Sequence, residues 1–224
     1  MKATRLKAII AIVAVFATQR VHPQGAFVNL DFEQAIAPLV PDEGGTVPIA
    51  RALPGWTGYV GGSQVSWVVY DSRAIDAASI SVIDRSSQFR QPLQGNYSAW
   101  LMGSTIFAGQ QAAAIAQIGQ IPVDANSILF STTFLPAFLP ELTFAGQTIP
   151  LIELDANTGY ITVGGDVSLF AGDTGELRFT AGPGNAGLLD SIEFSAVAIP
   201  EPTAMVLSLM GVLIVGWRVT SSKR

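Results

Sequence analysis

The chain reads as an all-β protein. The expected architecture is a two-sheet β-sandwich of jelly-roll type, flanked by an N-terminal signal helix and a C-terminal transmembrane helix. Three observations point there. Hydrophobic residues make up 49% of the 224 positions and charged residues only 13%, whereas disorder needs low hydrophobicity and high charge. There are 22 glycines and 13 prolines, enough to punctuate many short strands with turns. The two ends also differ in kind from the middle, which divides the chain into 1–26, 27–198 and 199–224.

The first segment opens with Lys2, Arg5 and Lys7 and continues as an unbroken apolar run from Ala8 to Ala17. A short basic region followed by such a run has the form of a secretory signal peptide. Val15-Phe16-Ala17 offers a small-residue cleavage site, and a later cut near Gly25 or Ala26 would serve equally. A buried amphipathic helix is the competing reading, but the run is apolar on every face.

From residue 27 onward, β-rich runs alternate with Gly, Pro, Asn and Asp. The predicted strands are 27–33, 65–70, 79–84, 97–103, 113–120, 126–134, 142–145, 148–154, 160–163, 166–170, 175–180 and 188–197. Within 175–180, Leu177 and Phe179 share one face, while Glu176, Arg178 and Thr180 share the other. Ile192 and Phe194 likewise share a face of the last strand. The run from Gln110 to Gly119 is rich in Ala and Gln, which favour helix. Its second half is read as strand because Gly119 and Pro122 close it. Leu154 to Tyr160 reads as a hairpin, with Gly159 free to take a positive φ.

The last segment is an acidic turn, an apolar rod and a positive end. Pro200-Glu201-Pro202 precedes a charge-free run over 203–217, and Arg218, Lys223 and Arg224 follow. A helix over that run is about 22 Å long against roughly 30 Å of hydrocarbon. Pro200 and Pro202 block helix continuation upstream. Trp217 suits an interface position, Arg218 can snorkel, and the remaining cations favour the cytoplasmic side.

Charge and composition exclude several functions. Residues 27–199 carry five arginines against sixteen Asp and Glu, a formal charge of −11, with no Lys, His or Cys. An acidic body of this kind does not suit nucleic acid, which needs clustered cations. Ser-His-Asp and Cys-His catalysis, His- or Cys-bound zinc and Schiff-base lysine are all excluded from it. A carboxylate pair could still hydrolyse a glycoside, but sixteen acids single out no pair, so the body is read as non-enzymatic.

The C-terminal pattern resembles the PEP-CTERM sorting signal of Gram-negative bacteria. The matching residues are Pro200, Glu201 and Pro202, the helix over 203–217, and Arg218, Lys223 and Arg224. The tail Arg218-Val-Thr-Ser-Ser-Lys-Arg224 is less densely basic than that family's usual run. The resemblance implies export past a signal peptidase, an inner-membrane intermediate and processing by an exosortase. The final location would be the cell surface or extracellular matrix, in association with exopolysaccharide.

A second set of short patterns runs through the body: Asn29 to Glu33, Leu53 to Thr57, Gly95 to Ser98, Ala114 to Gln117 and Leu189 to Phe194. In this order they resemble galactose-binding-like jelly-roll modules, which implies glycan binding and a structural calcium. For glycan, Trp56 and Tyr59 are the candidate stacking faces, because Gly55, Gly58, Gly61 and Gly62 surround them. Trp67, Tyr70, Tyr97 and Trp100 follow, and for all of these a core position competes with a platform. For calcium, Asn29, Asp31 and Glu33 would share one face of a first strand, with Asp190 opening the last. The competing reading makes these four plain polar positions at a sandwich edge. No cofactor is required by either reading.

Overall fold

A computed structural model describes residues 26–199, except 75, 107–108 and 135–137. The signal-peptide and sorting-signal expectations therefore lie outside the described residues, apart from Ala26 and Ile199. Among the described residues, no helix is long and apolar enough to cross a membrane.

Among the described residues, fourteen strands and one short α-helix build the body. In chain order they are β1 (Thr46–Pro48), α1 (Ile49–Ala52), β2 (Thr57–Val60), β3 (Ser63–Val65), β4 (Trp67–Tyr70), β5 (Ser79–Asp84), β6 (Tyr97–Met102) and β7 (Ala113–Gln120). Then come β8 (Ser127–Thr132), β9 (Glu141–Phe144), β10 (Gln147–Ile149), β11 (Leu151–Asn157), β12 (Tyr160–Asp166), β13 (Thr174–Ala181) and β14 (Ala186–Ser195). They form an eight-stranded sheet, in order β1-β4-β5-β6-β14-β8-β12-β11, and a six-stranded sheet, β10-β9-β13-β7-β2-β3. Pairing is antiparallel apart from the parallel β4–β5 contact. The all-β, two-sheet expectation thus holds.

The core lies between the sheets. Val82, Leu101, Ile128, Val163 and Leu189 enter from the larger sheet, and Ile115, Leu142, Leu177 and Phe179 from the smaller. Phe130 and Phe179 meet edge to face across the gap at 5.2 Å, a favoured aromatic geometry. Leu177 and Phe179 are fully buried, as their alternation requires. The Ala- and Gln-rich run is indeed strand at 113–120. Small alanines at 113, 114 and 116 let neighbouring chains pack closely over it. Gly159 has φ 91° in the β11–β12 hairpin.

Five expectations need correction. Residues 27–33 are not a strand, because Asn29 and Phe32 sit at φ 52° and 59°, in left-handed backbone. The run 148–154 is two strands. Pro150 lacks an N–H and divides it, so that β10 stays in the small sheet while β11 crosses to the large one. Residues 168–170 form a 3-10 turn, started by the Ser168 amide donating to the Asp166 carboxylate at 2.8 Å. The last strand starts at Ala186 and ends at Ser195, with a bulge between Asp190 and Glu193. That bulge switches the inward-facing parity: Leu189 points into the core, and after it Ile192 and Phe194. The predicted strand 65–70 is likewise divided, since Val65 ends β3 in the small sheet and Trp67–Tyr70 form β4 in the large one; β1 and β2, only three and four residues long, were missed altogether.

The segment before β1 does a strand's work without being one. Ala26 forms a parallel bridge with Gln120. The Gln117 side chain holds both the amide and the carbonyl of Val28, at 2.6 and 3.0 Å. Phe27 lies over Gly119, where a Cβ would approach the ring to 2.6 Å, and stacks on Phe194 at 5.4 Å. The Ile192 amide donates to Leu30 at 3.0 Å. This segment therefore joins both sheets at one end of the sandwich.

Candidate functional site

The outer face of the eight-stranded sheet gathers most of the unusual side chains. Strands alternate their faces, so Ile83, Trp100 and Leu188 project away from the main core. They form a second small core with Leu93 and Met102. The connection between β5 and β6, residues 85–96, folds down over it. Phe89 meets Trp100 edge to face at 5.8 Å. Arg90 lies 4.7 Å above the Trp100 ring and Arg73 5.9 Å from Phe89. Both are within cation–π range.

Two carboxylates pin this loop. Asp190 has no exposed surface. It accepts from the Gln94 amide at 3.0 Å and the Ser98 hydroxyl at 2.5 Å, and from the Ser191 amide. Burial pushes its carboxyl above the usual carboxylate range, against the pull of those donors. Glu33 accepts from the amides of Asn96 and Tyr97 at 2.7 and 2.9 Å, and from the Asn96 side chain.

Beside the loop lies a second polar cluster. The Tyr70 hydroxyl donates to Asp84. Asp84 also accepts from the Ser86 amide and hydroxyl, and its own amide donates to Asp71 at 2.8 Å. Burial opposes the Asp84 charge, but the Tyr70 and Ser86 donors outweigh it and hold the carboxyl below the usual range. Asp71 is pushed up, by burial first and by the neighbouring Asp84 charge after it. Burial, and then Asp84, also raise Tyr70 beyond the ordinary phenol range. Burial and the charges of Asp84, Glu33 and Asp71 raise Tyr97. A shallow cavity of about 300 Å³ opens here, lined by Asp84, Arg85, Ser86, Asn96 and Tyr97. Another, of about 230 Å³, involves Arg73, Asp76, Ser104, Thr105 and Ile106.

Among the described residues one ion pair forms, between Arg178 and Glu176 at 2.8 Å. Three of the body's five arginines, Arg73, Arg85 and Arg90, stand in the loops flanking β5 with no carboxylate in ion-pair range among the described residues. Guanidinium planes beside aromatic rings and hydroxyls can hold sugars through stacking and forked hydrogen bonds. The sequence reading named Tyr70, Tyr97 and Trp100 here but missed Arg73, Phe89 and Arg90. The available signal was the crowding of Arg into 73–90 of an otherwise acidic body.

The other candidates are placed as follows. Trp56 is a core residue, 4% exposed. Its indole N–H donates to the Asn29 carbonyl at 3.0 Å, and its ring packs on Phe32 and Phe179. The flanking glycines made it look exposed, but they shape a turn whose ring points inward. Tyr59 is half-buried on the outer face of the six-stranded sheet, and Arg178 already covers its ring at 4.1 Å. Trp67 is exposed on β4, one strand in from the edge of the larger sheet.

Of the four oxygen donors considered for calcium, Asn29 is buried, bonded to the Pro54 carbonyl and the Gln34 amide. Asp31 is exposed and accepts from the Glu33 amide. Only Glu33 and Asp190 serve a common element, the turn at 94–97. No group of three or more His, Cys, Asp or Glu able to hold a metal occurs among the described residues. The sorting residues Pro200, Glu201, Pro202, Arg218, Lys223 and Arg224 lie outside the described residues.

No family model matches the chain, and no curated protein matches it.

Proposed function

We propose that the chain is an exported, non-enzymatic surface or matrix protein of PEP-CTERM type. A signal peptidase removes the N-terminal segment, an exosortase processes the chain near Pro200-Glu201-Pro202, and the body is left outside the cell among extracellular polysaccharide. One observation carries this reading. β14 ends at Ser195, and the stem Ala196, Val197 and Ala198 that leads to the tripeptide is exposed, so a protease can reach it without unfolding the sandwich. The experiment is expression in a host with an exosortase, following chain mass and location. Wild type is expected to lose the 203–224 mass and reach the medium or surface. Glu201→Ala is expected to remain in the inner membrane at full length. Unchanged processing of that variant overturns the reading.

A second reading makes the jelly-roll-like body a specific carbohydrate-binding module. The observation favouring it is the Arg73–Phe89–Trp100–Arg90 array beside two open cavities. Polysaccharide pull-down decides it. Binding that falls about tenfold or more in Arg90→Ala, with Tyr59→Ala unchanged, supports a site on this face. Retention of wild-type binding in Arg90→Ala removes it.

A further inference from the structure

Both ends of the body leave the sandwich at one end. Ala26 is bridged to Gln120, the last residue of β7. Ser195, the last of β14, pairs with Ser127, the first of β8. The first of β8 also pairs with Asp166, the last of β12, and the last of β7 pairs with Thr174, the first of β13. The loops 121–126 and 167–173 and the stem 196–199 therefore crowd together. Their hydrogen bonds link them: Val167 amide to Asn126 carbonyl, Gly172 amide to Ile121 carbonyl, and Asn126 side chain to Ala196 carbonyl.

Each of these three segments thrusts one large apolar side chain into solvent. Val123 is 79% exposed, Leu169 90% and Val197 72%. Single exposed apolar residues are ordinary; three on adjoining loops at one end, each standing clear of its own backbone, form a patch. Ile199 closes the stem there, and the charge-free run starts at Thr203. Four residues of extended chain reach at most about 14 Å, so a bilayer holding that run lies within reach of these three side chains.

We infer that the Val123–Leu169–Val197 end of the sandwich is a membrane-docking face, seated on the bilayer that holds 203–217. This rests on the reading of 203–217 as a membrane segment. Asp124, Asp166 and Asp173 are exposed around the apolar tips, so the face suits neutral headgroups and is repelled by anionic ones. Docking brings the exposed stem 196–198 close to the membrane surface.

The test uses the full chain, whose lack of cysteine allows single labels. Leu169→Cys and Thr158→Cys, the latter in the hairpin at the far end of the sandwich, are labelled with an environment-sensitive fluorophore. The proteins are reconstituted into phosphatidylcholine vesicles, with or without phosphatidylglycerol. The expected result is a blue-shifted label at 169, quenched at least twofold by lipid-borne quencher, with the label at 158 unchanged. Adding phosphatidylglycerol is expected to reduce the quenching. A Val123→Asp/Val197→Asp background is expected to abolish it while the vesicles still carry the chain on flotation. Co-flotation with an unquenched label at 169 overturns the docking face and leaves the membrane segment standing. A chain that does not float overturns the membrane segment and the docking face with it.

Discussion

Asp190, under the outer loop, and Asp84, beside it, respond to pH in opposite senses. Burial raises Asp190 in the folded state, so its ionisation opposes folding. Stability falls as pH rises from the unfolded carboxylate value near 3.9 through the higher folded value. Asp84 is held low, so its contribution is complete above about pH 4 and is lost as pH falls through its folded value. Tyr70→Phe removes a hydroxyl donor from Asp84 and is expected to shift the acid limb of thermal unfolding to higher pH. Asp190→Asn is expected to flatten the dependence above pH 4. Melting curves across pH 3–7 check both. Asp190→Ala leaves the Gln94 amide and Ser98 hydroxyl without their acceptor, at a cost of about 1–3 kcal/mol, or a melting point lower by roughly 2–4 °C for each kcal/mol. Trp56→Ala empties a core site that also satisfies the Asn29 carbonyl, and is expected to cost about 3–5 kcal/mol. Lost glycan binding in that variant would therefore report unfolding, which makes Arg90→Ala the cleaner probe.

At the scale of elements, the loop 85–96 depends on its two carboxylate pins. Glu33→Ala frees the Asn96 and Tyr97 amides and is expected to speed hydrogen exchange at 94–97 while β5 and β13 keep their protection. Uniform exchange across the sheets would show that Glu33 supports the whole fold. Strands with clean alternation or closing turns, such as 79–84, 113–120 and 174–181, could be read from the sequence almost to the residue. β1 and β2 could not, because three or four residues flanked by Gly and Pro carry no period. The segment 27–33 misled because Asn29-Leu-Asp-Phe-Glu33 alternates like a strand, and nothing local reveals that positions 29 and 32 adopt left-handed backbone. Trp56 misled for a related reason, since neighbouring glycines describe a turn and not the direction of a ring. The Arg73–Phe89–Trp100–Arg90 array joins two loops and a strand through packing, so the crowding of Arg into 73–90 marks the region but not the partners.

For the whole molecule, the N-terminal segment is the keystone between the sheets. Phe32 is fully buried, and Phe27 and Leu30 engage Phe194 and Ile192. A chain lacking 26–34 is expected to lose cooperative unfolding in calorimetry. Gly119→Val, which drives a side chain into the Phe27 ring, is expected to be clearly destabilised but still folded. The same closure sets a timetable. Within the body, residues 27–33 are made first, yet their partners at 192 and 194 are made among the last. Such distant contacts close slowly. The sandwich cannot lock until nearly all of it is available at once, so the body becomes rigid only after its last strand has been made.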